Sequence, residues 1–169
     1  NRKFNIITKI QTYSNNKNNS EKYIINALKD SSKKLKVKKL YAVLIHGVGK
    51  LSNSKLLKII NVLKKLQKQN KIKYIGISIY DPKDLKVFWK DWKPDIIQVQ
   101  YNIFDRRIKT SGWLKKFKNH KIKVHIRSIF LQGLLITPKL KYPKKLNKLK
   151  KLLNYWFVWC KNNNRDPMQ

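Results

Sequence analysis

The sequence has very little acid. Of its 169 residues only eight are Asp or Glu, against 41 Lys and Arg, giving a formal charge of +33. Such a field attracts any polyanion, nucleic acid and anionic membrane included. Cysteine is almost missing as well. Cys160 stands alone, which excludes an internal disulfide framework, and without a Cys/His cluster no metal site is expected. No apolar run approaches the roughly 18 residues needed to span a bilayer, and the N-terminus carries no secretory apolar segment. These absences lead to the expectation of a soluble, cytoplasmic protein in a reducing compartment, with no membrane partner.

Arginine is scarce among the cations: Arg2, Arg106, Arg107, Arg127 and Arg165 are the five present. The excess is lysine, accompanied by abundant Asn and Ile, the mixture that an AT-rich genome produces. Lysines are scattered through every segment, with no block of charge and no aromatic-interleaved RNA-binding signature. No specific nucleic-acid partner is therefore expected. The competing reading is a lysine-rich, non-catalytic module that binds nucleic acid or other polyanions. It draws on "KKLNKLKKLLNYWFVWC", a basic amphipathic helix suited to an anionic surface. The plainer reading of that helix packs Trp156, Phe157 and Trp159 against a sheet.

The length suits one domain, taken as residues 1–169. Asn1 is not an initiator methionine, and "NNNRDPMQ" resembles the opening of another helix, with Asp166 as N-cap and Pro167 at the first helical position. The expectation is a fragment that stops inside a fold.

What the chain does have is a repeated grammar. Short β-rich runs recur: "FNIITK", "LYAVLIH", "IKYIGIS", "DIIQVQ" and "IKVHIR". They are continuous rather than alternating, as strands buried on both faces are. Helical patterns separate them at Ser20–Leu35, Asn53–Asn70, Pro82–Trp92, near Ser111–Asn119, and at Lys144–Lys161. Strand, helix, strand is the βα unit of a parallel α/β sheet, in an open doubly wound form or a TIM barrel, and about five units fit. Lys9, His46, Ser78, Gln98 or Gln100, and Arg127 each fall at or near the C-terminal end of an apolar run. In a parallel fold those ends converge on one face, where catalytic and cofactor groups belong.

Several motifs fail. A Walker loop over "HGVGK" would need Gly at Leu44 and Ser or Thr at Leu51. There is no G-x-G-x-x-G and no G-x-S-x-G. Of the three histidines, His120 reads as a solvated loop residue and His125 as a strand side chain packed under a helix. His46 has the position of a reacting group.

These runs, taken in order, resemble the middle of the aldo-keto reductases, TIM barrels that use NADPH or NADH to reduce aldehydes and ketones. "NIITKI" is similar to that family's strand ending in Thr-Lys, and "SSKKLKVKKLYAVLIH" to the helix end and strand that closes on a histidine. "KIKYIGIS" resembles the G-K-I-R-x-I-G-x-S segment and "DIIQVQYNIFDRR" the Q-x-x-Y-N-x-x-D-R-R segment. "VHIRSIFLQGLL" resembles the strand and loop leading to G-L-L. The implied fold is the (β/α)8 barrel, incomplete in this chain.

The resemblance also implies roles. Lys9 would be the lysine and His46 the histidine of the family's catalytic tetrad: the lysine acidifies a tyrosine general acid, and the histidine orients the small-molecule carbonyl substrate. Negative charge grows on the carbonyl oxygen as hydride arrives, so a placed acid is needed there. Ser78 and Gln98 match residues that hydrogen-bond the nicotinamide carboxamide. Arg127 stands where many members carry a tyrosine that stacks on nicotinamide. Ser128, Leu131 and Gln132, within "SIFLQGLL", match contacts along the pyrophosphate. The sequence departs from the pattern at Ile79, where the family has Asn, and at Arg127, a cation that would disfavour oxidised nicotinamide. The tetrad Asp and Tyr are expected before the Thr-Lys strand, and none of Tyr13, Tyr23, Tyr41, Tyr80 and Tyr101 matches that motif. The 169 residues alone are expected to be inactive, with an apolar interior and two sheet edges exposed.

Overall fold

The computed structural model describes residues 4–12, 20–138 and 144–169. Five strands form one sheet: β1 (Ile7–Gln11), β2 (Leu40–His46), β3 (Ile72–Ser78), β4 (Ile96–Gln100) and β5 (Lys123–Arg127). They lie side by side in chain order, every neighbouring pair parallel. Each expected run is thus a strand.

Two helices are bounded by the signals their sequences carry. In α1 (Glu21–Lys34) the Ser20 hydroxyl accepts from the Tyr23 N–H at 3.2 Å, and in α2 (Asn53–Lys68) Ser52 accepts from Lys55 at 3.4 Å. Both end on a residue of positive φ, Lys36 at 53° and Asn70 at 59°. There the next N–H reaches back into the last turn, Val37 to Ser32 and Lys71 to Leu66, each at 3.0 Å.

Two expected helices differ. The segment from Pro82 to Trp92 is a 3-10 helix over Pro82–Val87 followed by turns. Its buried residues, Pro82, Leu85 and Phe88, recur at every third position, and a turn of three residues places all three on one line facing the core. The weak pattern near Ser111 is two short helices, α3 (Arg107–Thr110) and α4 (Trp113–Asn119). Gly112, at a φ of 76°, breaks them apart.

Alternation along the strands divides the sheet's two faces. Val43, Ile45, Ile75, Ile77, Ile97 and Val99 join the core under α1, α2 and α4, with Leu56, Leu63, Phe88 and Phe117. Burying each such side chain is worth about 1.5–3 kcal/mol. Ala42, Leu44 and Ile96 form a smaller cluster on the other face. Between Leu44 and Ile96 sits Gly76: a Cβ there would lie 2.3 Å from the Ile96 carbonyl oxygen and 2.5 Å from Leu44 Cδ2, so the close approach of β3 to β4 requires glycine.

The inner face corrects one expectation. Ala42, Leu44 and Ile96 are fully buried, not bare. Ile7, Tyr41 and Tyr74 pack over them, and the Lys123 ammonium caps the two phenols, 3.9 Å from the Tyr74 ring centre and 3.2 Å from Tyr41 Oη.

The last helix, α5 (Asn147–Asn162), buries Leu153 and Cys160, with Leu146, Leu149 and Trp156 half-buried beside them. It packs on Leu134, Leu135 and Phe104, and Trp156 Nε1 donates to the Leu135 carbonyl at 2.8 Å. Trp156 stacks on Trp159 at 5.6 Å, and Trp159 remains half exposed. The expected packing of these indoles on the sheet is therefore replaced by packing on the turn after β5. Beyond α5, Asp166 Oδ1 accepts from the Met168 N–H at 2.9 Å, the capping geometry expected there.

Candidate active site

The site is built at the C-terminal ends of the strands. Lys9 lies opposite Leu44, on the face where Leu44 and Ile96 cluster. Two residues further along, Gln11, His46, Ser78, Gln98 and His125 occupy one continuous row across all five strands. Gln100 and Arg127 pair in the next row. The residues singled out from sequence, Lys9, His46, Ser78, Gln98 and Arg127, are thus brought to one rim on one face. His125 corrects an expectation: the helix-side core takes its neighbour Val124, and His125 itself shares the His46 row.

His46 is held at its strand end by main chain. Thr12 donates twice to the His46 carbonyl, from its N–H at 3.1 Å and its hydroxyl at 2.6 Å. Gly47 then turns the chain away at a φ of 81°, where a Cβ would stand 3.3 Å from the Thr12 oxygen. Beside the imidazole lies a cleft of about 460 Å³, lined among others by Thr12, Gly47, Ser78, Tyr80, Asp81 and Asp84.

Two cations, one imidazole, one buried hydroxyl and one carboxylate define its electrostatics. Partial burial holds the His46 imidazolium below its ordinary value, and the charges of Lys9 and Arg127 push it further down. Lys9 is itself lowered, by desolvation first and then by Arg127. His46 is accordingly a neutral imidazole near neutral pH. Its Nε2 lies 3.1 Å from the Tyr80 hydroxyl, while its Nδ1 is buried without a partner. Ser78 is fully buried and its hydroxyl reaches Gln98 Oε1 at 3.4 Å. Asp84 is raised, chiefly by burial, with the charge of Asp81 adding to it and main-chain hydrogen bonds at Asp81 and Tyr80 opposing it.

Arg127 has a protein partner. Its guanidinium lies over the Tyr80 ring at 4.3 Å, and Nη2 donates to the Ile79 carbonyl at 3.3 Å. From the other side Arg107 donates to the Tyr80 carbonyl at 3.3 Å, to Asp81 at 3.0 Å, and through two nitrogens to Asp105 at 2.9 Å each. Asp105 is held below its ordinary value by that pairing.

After β5 the chain folds into successive turns. Ser128, Leu131 and Gln132 have φ of 60°, 46° and 56°, followed by Gly133 at 86°. Leu131 donates to Ser128 at 3.1 Å and Gly133 to Phe130 at 2.9 Å. Asn102, nearly buried, ties this turn to β4 through the Ser128 carbonyl at 3.1 Å. Left-handed conformations at non-glycine residues cost of order 1 kcal/mol each, and such outliers gather at ligand-binding segments.

The sequence reading missed Tyr80 and Thr12. Tyr80 follows Ser78 by two residues, and in a parallel sheet that position is the rim. The tyrosine was set aside because it matched no motif. Tyr13 lies outside the described residues. Among the described residues no cluster of His, Cys, Asp and Glu could hold a metal ion, and no helix is long and apolar enough to cross a membrane.

A parallel strand-and-helix sheet whose polar side chains gather at the C-terminal mouth defines a β/α-barrel protein. The chain belongs to the aldo/keto reductase family, whose profile matches residues 1–169. It is 30% identical over 138 residues to the uncharacterized oxidoreductase YqkF of Bacillus subtilis, covering 82% of this chain and 44% of that protein. Among solved structures, the holo form of aldo-keto reductase AKR11C1 from Bacillus halodurans is 27% identical with a TM-score of 0.68, over 88% of this chain and 51% of that one. The fold is shared with an aldo/keto reductase of Klebsiella pneumoniae solved with NADP and acetate, at 17% identity and a TM-score of 0.62, over 92% of this chain and 55% of that one. The chain spans about half the length of these relatives. Its five parallel strands are an incomplete TIM barrel of the α/β class.

Proposed function

We propose that this chain is the central part of an NAD(P)H-dependent reductase of aldehydes and ketones, with Lys9 and His46 as its surviving catalytic pair and residues 1–169 as one partial barrel domain. The observation that carries the reading is the placement of Lys9 and His46 on adjacent strands and on one face of the sheet, near enough for the ammonium to oppose protonation of the imidazole, with an open cleft beside His46.

The residues fit a nicotinamide cofactor. Ser78 and Gln98 offer a hydroxyl and an amide, already within 3.4 Å of each other, at the depth where a carboxamide would need both a donor and an acceptor. We assign the left-handed turn at Ser128, Leu131 and Gln132 to the pyrophosphate, since mixed right- and left-handed turns form anion-binding concavities, although the N–H groups of Leu131 and Gly133 are taken up within the turn itself. Arg127 adds positive charge between the two. A bound reduced nicotinamide would supply the hydride. His46, neutral, donates a hydrogen bond to the carbonyl oxygen, polarising it and fixing which face is presented. Lys9 sits one row deeper, where its charge favours the ionised form of a neighbouring phenol and so strengthens that phenol as an acid. The burial of Ser78 keeps water from that end of the site. The partner is a small carbonyl compound; the 169 residues by themselves, with β1 and β5 as sheet edges, are not expected to turn over.

The test is carbonyl reduction by the full-length protein across a panel of aldehydes and ketones with NADPH and NADH. His46→Ala and Lys9→Ala should each lower kcat/KM by about two to four orders of magnitude. Full turnover in both variants would remove the reading.

A further inference from the structure

We propose that Tyr80 is a positioning residue of this site: its hydroxyl oxygen occupies the hydrogen-bond donor of His46 in the absence of substrate, and a carbonyl compound must displace it to bind. The inference rests on the carbonyl-reductase reading given above, and it adds to that reading the group against which every substrate competes.

The placement of Tyr80 is not a product of packing. Its side chain is half exposed and belongs to none of the apolar clusters. It is held by two arginines instead. Arg127 lies over the ring and bonds to the carbonyl before it, and Arg107 bonds to the carbonyl of Tyr80 itself while pairing with Asp81 next along the chain. A cation over the face of a phenol is attracted to the ring, the more so as water is excluded. The ring is thus fixed from the backbone outward, with its hydroxyl on His46 Nε2 at 3.1 Å and the two ring centres 5.3 Å apart.

The direction of that hydrogen bond follows from the other ring nitrogen. His46 Nδ1 is buried and unpartnered. Were Tyr80 the donor, Nδ1 would carry the proton, leaving a buried N–H with no acceptor in a site whose cations, Lys9 and Arg127, already oppose further positive charge. With the proton on Nε2 the unpartnered atom is a lone pair, which those same cations favour. Nε2–H therefore donates, and the Tyr80 oxygen accepts. A carbonyl oxygen oriented by His46 needs that same N–H, and one N–H cannot serve both acceptors at full strength. Substrate entry consequently exchanges one oxygen for another on His46, while the Tyr80 ring remains available to Arg127 as a wall of the cleft.

The experiment is Tyr80→Phe in the full-length protein, which keeps the ring under Arg127 and deletes only the competing oxygen. Two readouts are taken. In 15N-edited spectra of the side-chain imidazoles without substrate, the His46 Hε2 proton should be slowly exchanging in the parent protein and should be lost or shifted in the variant; superimposable His46 signals would overturn the proposal. In steady-state kinetics with a small ketone, KM should fall roughly two- to ten-fold, the range expected for removing one competing hydrogen bond. A merely structural role would alter thermal stability and leave KM where it was, and a KM equal to or above the parent value overturns the proposal. His46→Ala separates the two levels: full turnover in that variant removes the carbonyl-reductase reading and this inference with it. Lost turnover in His46→Ala beside an unmoved KM in Tyr80→Phe removes this inference alone.

Discussion

Lys9 and His46 sit on neighbouring parallel strands, on the same face of the sheet and two residues out of register, Lys9 opposite Leu44 and His46 opposite Gln11. That offset places the ammonium one row below the imidazole, near enough for its charge to oppose protonation of the ring.

A titration follows from this. His46 should lose its proton below the ordinary histidine value of 6.5, and Lys9→Met should move its midpoint upward by removing one of the two opposing charges. The sign for stability is fixed by the same shift. A histidine depressed in the folded state contributes stability that is complete above its unfolded value and is lost as pH falls through the folded one. An NMR titration checks both, and a His46 midpoint unmoved by Lys9→Met contradicts the arrangement.

Arg107 joins three elements of the rim, and its planar fork is matched by two oxygens of Asp105 and one of Asp81. Arg107→Lys keeps the charge and loses the fork, so unfolding should become easier by about 1–2 kcal/mol in chemical denaturation. Because Asp105 is depressed from 3.8, the contribution of the pair should be present at neutral pH and vanish as acid protonates the carboxylate. A variant as stable as the parent at pH 7 would show that Arg107 carries no net stabilisation.

Phe117 is completely buried between Trp89 and Trp113, their ring centres 5.9 and 6.0 Å away. Phe117→Ala should destabilise by about 3–5 kcal/mol, since truncating a fully buried ring leaves a cavity that its surroundings fill only in part. Thermal and urea unfolding measure it; a loss below about 1 kcal/mol would mean that α4 collapses onto the sheet.

The lysines are dispersed over all five helices and three of the five strands, so nucleic-acid binding should be a field effect. Affinity for single- or double-stranded DNA is expected to fall by orders of magnitude between 50 and 200 mM salt, without sequence preference. Retention of one sequence at the higher salt would reveal a built interface and favour the polyanion-binding reading.

How much of this was legible beforehand depends on what sets each element. The central strands β2, β3 and β4 were readable because burial on both faces leaves continuous Ile and Val runs, the edge strands β1 and β5 from their short β-rich runs although they are largely uncovered, and α1 and α2 because Ser20 and Ser52 cap them. The resemblance to the family was readable from the order of those runs. The 3-10 segment was not, because Pro82, Leu85 and Phe88 suit a loose helical pattern as well as a three-residue turn. His125 was placed on the wrong face because a lone histidine inside an apolar strand has no marker of sidedness; only pairing with Gln98 decides it. Tyr80 was invisible as a site residue because its position depends on Arg107 and Arg127, which are distant in sequence and act on its backbone and its ring.

Cys160 gives the molecule a single-channel clock. It is the one thiol in the sequence, almost fully buried on α5, and burial pushes it up and away from the reactive thiolate. An alkylating reagent can label it only when the structure around the C-terminal end of α5 opens. The labelling rate therefore counts openings there, without any introduced probe.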